Sequence, residues 1–144
     1  MSERIATERA PRALGPYAQA VVAGDLVFCA GQVGIDPATG TLVAGGIAAE
    51  TARACENLAA VLAAAGLGLR DVVRTTVYVV DLAEFATLNE VYGRWFGAPH
   101  PARATVQVAA LPAGARVEID AIAARPAGTG GAGRAAKRGV SRRR

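Results

Sequence analysis

Two strand-like segments near the C-terminal end carry the residue types best suited to chemistry. Arg103 and Thr105 alternate with apolar residues in residues 101–112, and Glu118 does the same in residues 116–123. Because successive side chains of a strand point to opposite faces, we expect Arg103 and Glu118 to share a polar sheet face. A guanidinium grips a carboxylate through two parallel hydrogen bonds, and a nearby carboxylate can orient a water molecule. Surface ion pairs on a solvated face are the alternative.

The composition predicts a single domain with its own core, because 52% of the 144 residues are hydrophobic. No apolar run approaches the roughly 20 residues that span a bilayer, and the N-terminal region holds acids and a proline where a signal peptide is apolar. We therefore expect a cytoplasmic protein with no membrane partner. Cys29 and Cys55 lack metal-ligand spacing, so we expect both to be small buried hydrophobic residues.

The net charge of +4 is unevenly distributed along the chain. Residues 126–144 hold six of the 16 basic residues and no acid, which leaves ten basic against 12 acidic residues in residues 1–125. The segment 126–144 has too few apolar groups to fold, so we predict a flexible basic tail after a domain of residues 1–125. Weak nonspecific contact with nucleic acid or another polyanion is one role open to such a tail, and solubility is another.

Turn residues divide the first third of the chain into short strands. Gly15-Pro16 and Gly24-Asp25 are the turn signals, and Asp36-Pro37 begins a further turn that Gly40 closes. The predicted antiparallel strands cover residues 5–7, 18–23 and 26–32.

Two helices are predicted from apolar residues at helical spacing. The first covers residues 47–65, and Gly66 stands where a helix C-cap belongs. A β-branched strand follows at residues 71–80, and Asp81 then begins the second helix with Glu84 in a capping box. Its predicted buried stripe is Phe85, Leu88, Val91, Tyr92, Trp95 and Phe96.

This order of elements predicts an α+β domain with two helices on one face of a mixed sheet. Arg74, Thr76 and Tyr78 alternate with valines, so the uncovered face is partly apolar, which favours a homo-oligomer. If the last two strands were hairpin partners, Arg103 and Glu118 would be offset by roughly 13 Å along the sheet. Either another strand lies between these two residues or two subunits share the site.

Several short motifs resemble those of the RidA family, also called YjgF-like, whose members are reactive-intermediate deaminases. The resemblance runs from about residue 5 to residue 125. The motifs that carry it are Gly15-Pro16-Tyr17, Gly31-Gln32, Asp81-Leu82 with Asn89, Pro101-Ala102-Arg103 and Val117-Glu118-Ile119.

The resemblance implies a chorismate-mutase-like fold and a homotrimer whose sheets form a barrel, with three sites in the clefts between subunits. It also implies hydrolysis of 2-imino acids, such as 2-iminobutanoate and 2-iminopropanoate, to 2-keto acids and ammonia. No cofactor and no metal are implied.

The resemblance also implies a role for five residues. Arg103 would bind the substrate carboxylate and Glu118 would polarise the attacking water. Tyr17 would line the cleft with its hydroxyl, and backbone groups of Gly31 and Thr105 would contact ligand and water.

Other polar residues near these motifs receive no catalytic role. Asp120 is expected to be structural, His100 a loop residue and Asn89 a helix-surface amide. Position 30 is Ala30 where relatives often have a hydroxyl, so a hydrogen bond to the carboxylate would be lost. A noncatalytic protein that binds small carboxylates is therefore the alternative function. RNA cleavage or inhibition of translation is less favoured, because residues 1–125 are slightly acidic.

Overall fold

A computed structural model describes residues 2–126, and the predicted basic tail lies outside these residues except for Pro126. Two α-helices, α1 and α2, cover Gly46–Ala64 and Phe85–Trp95. The strands are β1 (Glu3–Ile5), β2 (Ala20–Ala23), β3 (Leu26–Val33), β4 (Ile35–Asp36), β5 (Thr41–Leu42), β6 (Val72–Val79), β7 (Ala102–Gln107) and β8 (Val117–Ala124). Short 3₁₀ turns cover Leu69–Asp71, Leu82–Glu84 and Pro112–Gly114. Within residues 2–126, no helix has the length and apolar content to cross a membrane.

Six strands form one mixed sheet in the order β1-β2-β3-β8-β6-β7. Strands β6 and β7 run parallel, and the other neighbours are antiparallel. Strands β4 and β5 form a separate hairpin, closed by the predicted turn in which the Gly40 N–H donates to the Asp36 carbonyl. The first strand begins and ends two residues earlier than predicted, and β2 is shorter than predicted.

The core lies between one face of this sheet and both helices. Every second residue of β8 is buried there, as the alternation of residues 116–123 predicts. Leu58 from α1 and Leu88 from α2 join Val77 and Ile119 from the sheet in one buried cluster. This arrangement confirms the predicted α+β class with two helices on one face of a mixed sheet.

The thiols of Cys29 and Cys55 lie in this core, as predicted. Burial raises the pKa of each thiol to about 12, and the charge of Asp120 adds to the shift at Cys29. Both groups therefore stay protonated at neutral pH and behave as small apolar side chains.

Helix α1 ends as its sequence predicts. Gly66 has a positive φ of 77°, a conformation that favours glycine. The Gly66 N–H donates to the Ala63 carbonyl and the Leu67 N–H to the Leu62 carbonyl. These two bonds satisfy carbonyls at the helix end that have no partner inside the helix.

Helix α2 departs from the prediction at its start. The Asp81 carboxylate accepts a hydrogen bond from the Ala83 N–H, as an N-cap does. The predicted capping box is incomplete, because the Glu84 carboxylate accepts from the Arg116 guanidinium at 2.9 Å. A basic residue from the segment just before β8 has taken the place of the local backbone donor.

The predicted buried stripe of α2 is correct at Leu88, Val91, Tyr92 and Phe96 and wrong at Phe85 and Trp95. Phe85 is 40% exposed and Trp95 36% exposed. Phe85 packs at the edge strand β7 and Trp95 is the last residue of the helix, so the sheet covers neither ring completely.

Asn57 fixes α1 to the end of β3. Its Nδ2 donates to the carbonyls of Val33 at 3.2 Å and Ile35 at 2.9 Å, and its Oδ1 accepts two hydrogen bonds from Arg53. The Asn57 side chain is completely buried. One amide thus holds the chain where β3 gives way to β4.

We expect Asn57→Ala to lower the free energy of unfolding by about 2–4 kcal/mol, because two buried carbonyls lose their donor. Denaturation with urea measures the change. Glu56→Ala is the control, since it removes only an exposed ion pair with Arg53 and should change stability by less than about 0.5 kcal/mol. Equal effects of the two substitutions would contradict the role of Asn57.

Candidate active site

The sheet places Arg103 and Glu118 on opposite faces, so the prediction of a shared face is wrong. Strand β6 lies between β7 and β8, with Thr75 beside Arg103 and Tyr78 beside Glu118. Residues that are direct partners across strands share a face, and Thr75 and Tyr78 alternate to opposite faces of β6. Each strand's own alternation was predicted correctly, but the phase between strands depends on sheet order. The hairpin alternative is also excluded.

Arg103 lies on the helix side of the edge strand β7. Its guanidinium carbon is 4.8 Å from the ring centre of Tyr92 and 5.5 Å from that of Phe85. These are cation–π distances. Among residues 2–126, no carboxylate forms an ion pair with Arg103, including Glu118 and Asp120, its expected partners in a purely structural role. The guanidinium therefore retains its capacity to bind an anion.

Glu118 lies half-buried on the opposite face, beside Gly31. Within the described part of the chain, its carboxylate has no hydrogen bond and no ion pair. A methyl group on Gly31 would lie 2.8 Å from Cδ of Glu118, so the glycine makes room for this side chain. Burial, and then the charge of Asp120, raises the pKa of Glu118 above its ordinary value. A raised pKa makes this carboxylate a stronger base and so better suited to accept a proton.

Asp120, the neighbouring carboxylate on this face, has its hydrogen bonds satisfied inside the protein. It accepts from the Thr76 N–H and from the Tyr78 hydroxyl, each at 3.0 Å. The bond to Asp120 is also the main reason that the pKa of Tyr78 is raised. These contacts fit the structural role expected for Asp120.

Tyr17, Gly31 and Glu118 line one small cleft of about 40 Å³, together with Arg12 and Pro112. This volume holds about one water molecule. The ring of Tyr17 is 50% exposed, and its hydroxyl accepts a hydrogen bond from the Leu14 N–H at 3.0 Å. Three of the five predicted site residues therefore meet at this cleft.

Gln19 anchors the loop that carries Tyr17. Its amide nitrogen donates to the carbonyls of Thr7 at 3.1 Å and Pro11 at 2.8 Å, and its oxygen accepts from the Thr7 N–H at 2.7 Å. The Gln19 carbonyl also accepts from the Ala30 N–H at 2.9 Å, next to Gly31. One buried residue thus connects both sides of the cleft.

Thr105 is the fifth predicted residue and lies with Arg103, two positions further along β7. Its hydroxyl oxygen is buried and has no hydrogen-bond partner within residues 2–126, and the same holds for Oδ1 of Asn89 on α2. Sequence reasoning assigned only the backbone of Thr105 and left Asn89 without a role. The available signal was the spacing of Phe85, Asn89 and Tyr92, which places all three on one side of a helix.

The remaining polar residues near the site do not gather into a second centre. His100 lies in a loop, as expected, with Nδ1 at 3.0 Å from the Phe96 carbonyl at the end of α2. His, Cys, Asp and Glu side chains form no group of three or more that could hold a metal ion, as far as residues 2–126 are concerned.

A family model described as "Endoribonuclease L-PSP" matches residues 7–125. The chain belongs to the RidA family. This result confirms the resemblance seen in the sequence motifs. The chain is 55% identical over 121 residues to "Protein DfrA" of Myxococcus xanthus, covering 83% of this chain and 92% of that protein.

Two other members of the RidA family bear directly on fold and function. A human protein named 2-iminobutanoate/2-iminopropanoate deaminase is 48% identical over 119 residues, covering 83% of this chain and 87% of the human protein. The crystal structure of E. coli TdcF with bound serine superposes with a TM-score of 0.83 at 43% identity, covering 86% of this chain and 99% of TdcF. The chain therefore has the chorismate-mutase-like α+β fold of the family.

The raised pKa of Glu118 predicts a specific dependence of stability on pH. The folded chain keeps this proton to higher pH than the unfolded chain, in which the ordinary value is 4.5, so stability falls as pH rises between the two values. Glu118→Gln should therefore have a higher Tm than wild type at about pH 7 and no advantage at about pH 4. Thermal unfolding at both pH values measures this.

Glu8→Gln is the control for this experiment, because it removes one negative charge from an exposed position. A Tm for Glu118→Gln at or below that of wild type at neutral pH would contradict the prediction that the ionised carboxylate destabilises the folded chain.

Proposed function

We propose that this chain hydrolyses 2-imino acids, including 2-iminobutanoate and 2-iminopropanoate, to 2-keto acids and ammonia. The observation that carries the proposal is Glu118, a half-buried carboxylate with a raised pKa and no partner among residues 2–126, beside a cleft with room for about one water molecule. The activity in the name of the human relative supports the same reaction.

The proposed chemistry needs one carboxylate that moves protons and one cation that holds the substrate. Arg103 binds the substrate carboxylate. Glu118 takes a proton from water as the water oxygen bonds to the imine carbon and the C=N electron pair moves to nitrogen. Glu118 then gives that proton to the nitrogen, which yields a neutral tetrahedral adduct with a hydroxyl and an amino group. Glu118 next passes the adduct's hydroxyl proton to the same nitrogen as the C=O bond forms and the C–N bond breaks. The products are ammonia and the 2-keto acid, and Glu118 is ionised again.

We infer that a second subunit completes the site. Arg103 and Glu118 lie on opposite faces of one sheet, and a cleft of about 40 Å³ has no room for a 2-imino acid. The open face carries exposed apolar groups, including Phe28 and Val106, each 43% exposed. A homotrimer in which the edge strand β7 of one subunit meets the open face of the next would bring Arg103 and Thr105 of the first to the cleft of Tyr17, Gly31 and Glu118 in the second.

The second candidate is a protein that binds small carboxylates without hydrolysing them. Ala30 favours it, because this position supplies no hydroxyl to a ligand. RNA cleavage, the activity in the description of the family model, is less favoured, since residues 1–125 hold ten basic and 12 acidic residues. The cytoplasmic location, and the contact of the basic tail with polyanions, stay predictions.

Release of 2-keto acid from imines generated by an amino-acid oxidase, with catalase present, tests the proposed reaction. We expect wild type to accelerate release, Glu118→Gln to lower kcat by about 100-fold or more, and Arg103→Ala to raise KM by at least about 10-fold. Arg94→Ala and Glu56→Gln, which change exposed charges, should behave as wild type. No acceleration by wild type across several imines would favour the carboxylate-binding alternative.

Mixed oligomers test whether subunits share the site. Arg103→Ala and Glu118→Gln chains, co-expressed with different tags, should each have about one tenth of wild-type activity or less alone, when the imine concentration is well below KM. Together they should recover about one quarter of wild-type activity, because random assembly pairs an intact Arg103 with an intact Glu118 at about one site in four. Light scattering should give about three times the chain mass of 14.6 kDa. No recovery in a mixed trimer would place both residues in one subunit.

A further inference from the structure

A large cavity adjoins the cleft of Glu118 and has no part in the reaction proposed above. It measures about 710 Å³, which is within the range of small-molecule sites, and lies between β1 and residues 6–19. Arg12, Tyr17 and Gln19 line both this cavity and the cleft. A substrate whose reacting carbon lies at Glu118 can therefore extend past these residues into a space that a methyl or ethyl side chain does not fill.

Arg12 is the cation at the junction of these two spaces. Within the part of the chain that the structure describes, its side chain forms no hydrogen bond and no ion pair. Glu118 lines the same cleft and Glu8 the same cavity, yet neither carboxylate pairs with this guanidinium. The cation beside the proposed reacting group is thus free to bind an anion that a ligand brings.

Hydrogen bonds hold the backbone on both sides of Arg12. The carbonyl of Pro11, immediately before it, accepts from the Gln19 amide at 2.8 Å. The N–H of Leu14, two residues after it, donates to the Tyr17 hydroxyl at 3.0 Å. Both partners also line the cleft, so the backbone of Arg12 is fixed relative to the reacting groups and needs little ordering when a ligand binds.

The charged groups around the larger cavity leave it positive. Arg4 and Arg12 lie on its wall together with Glu8, so two positive charges face one negative charge among the described residues. The side chain of Arg4 donates a hydrogen bond to the Ser2 hydroxyl and pairs with no described carboxylate. A positive cavity beside a reaction centre favours a substrate with an anionic side chain over one with a neutral side chain.

We propose that Arg12 makes this chain selective for 2-imino acids whose side chain ends in a second carboxylate. The inference rests on the proposed function and names the substrate class of the same site. Arg103 of the neighbouring subunit binds the carboxylate next to the imine carbon, and the water at Glu118 attacks that carbon. Arg12 binds the carboxylate at the far end through charge-assisted hydrogen bonds. The imines of aspartate and glutamate, 2-iminosuccinate and 2-iminoglutarate, belong to this class.

Binding of 2-keto acids, followed by calorimetry, tests this selectivity without turnover. The probes are 2-ketoglutarate, which carries a second carboxylate, and 2-ketohexanoate, which has an uncharged side chain of similar length. We expect wild type to bind 2-ketoglutarate about 10-fold more tightly, a modest factor because Arg12 is exposed to solvent. Arg12→Met should remove this difference and leave the Kd of 2-ketohexanoate within about 2-fold of wild type.

Three further variants separate the charge of Arg12 from its shape and from general electrostatics. Arg12→Lys should keep most of the preference for 2-ketoglutarate, and Arg12→Glu should reverse it. Arg9→Ala removes an exposed cation of the same segment that is not among the residues lining either space. It is the matched control and should change neither Kd.

Two results would overturn the selectivity. The first is a folded Arg12→Met that keeps the wild-type preference, and the second is equal binding of the two probes by wild type. A parallel loss of affinity for both probes in Arg12→Met, with a lower Tm, would also overturn it and would assign Arg12 to a contact between subunits.

This inference and the proposed function fail in different ways. A wild type that prefers 2-ketoglutarate through Arg12 but hydrolyses no imine overturns the deaminase proposal alone. A wild type that hydrolyses imines but binds the two probes equally overturns the selectivity alone. A wild type that binds no 2-keto acid overturns the role of Arg12, and the release of keto acid from imines still decides the deaminase activity.

Discussion

Strand β8 pairs on both sides, with β3 and with β6, and its register fixes the rest of the domain. Ile119 and Ala121 face the helices. Because successive side chains of a strand point to opposite faces, Glu118 and Asp120 must lie on the other face of the sheet. Strand β6 also pairs with β7, and that second register, with Thr75 beside Arg103, sends Arg103 to the helix side. The core and the candidate site thus follow from the same order of strands and the registers between them.

On the open face, two neighbouring carboxylates have divided their roles through their hydrogen bonds. Asp120 is satisfied by the Thr76 N–H and the Tyr78 hydroxyl, so its charge is well supported by the protein. Glu118 receives no such donor from residues 2–126, and burial, followed by the charge of Asp120, raises its pKa. Burial and the neighbouring charge together therefore suit Glu118 to hold and release a proton.

Local sequence signals predicted most of the helices and strands, but they did not predict the order of the strands in the sheet. The Gly66 cap, the β-branched run of β6 and the alternation of β8 depend on neighbouring residues, and the structure confirms each. The position of Arg103 relative to Glu118 depends on which strand lies between them, and no short segment encodes that order. The exposure of Phe85 has the same origin, since only the sheet order makes β7 an edge. The motif resemblance identified the family and includes Asn89, but it gave no indication that Oδ1 of this residue is buried without a hydrogen-bond partner among residues 2–126.

A side chain at position 31 would clash with the side chain of Glu118. A β-carbon at Gly31 would lie 2.8 Å from Cδ and 3.0 Å from Cγ of Glu118, closer than real contacts allow. A chain of this fold that gains a side chain at position 31 must shorten or turn aside the residue at position 118. The absence of a side chain at position 31 is therefore what leaves room in the cleft for an ionisable group 87 residues later in the chain.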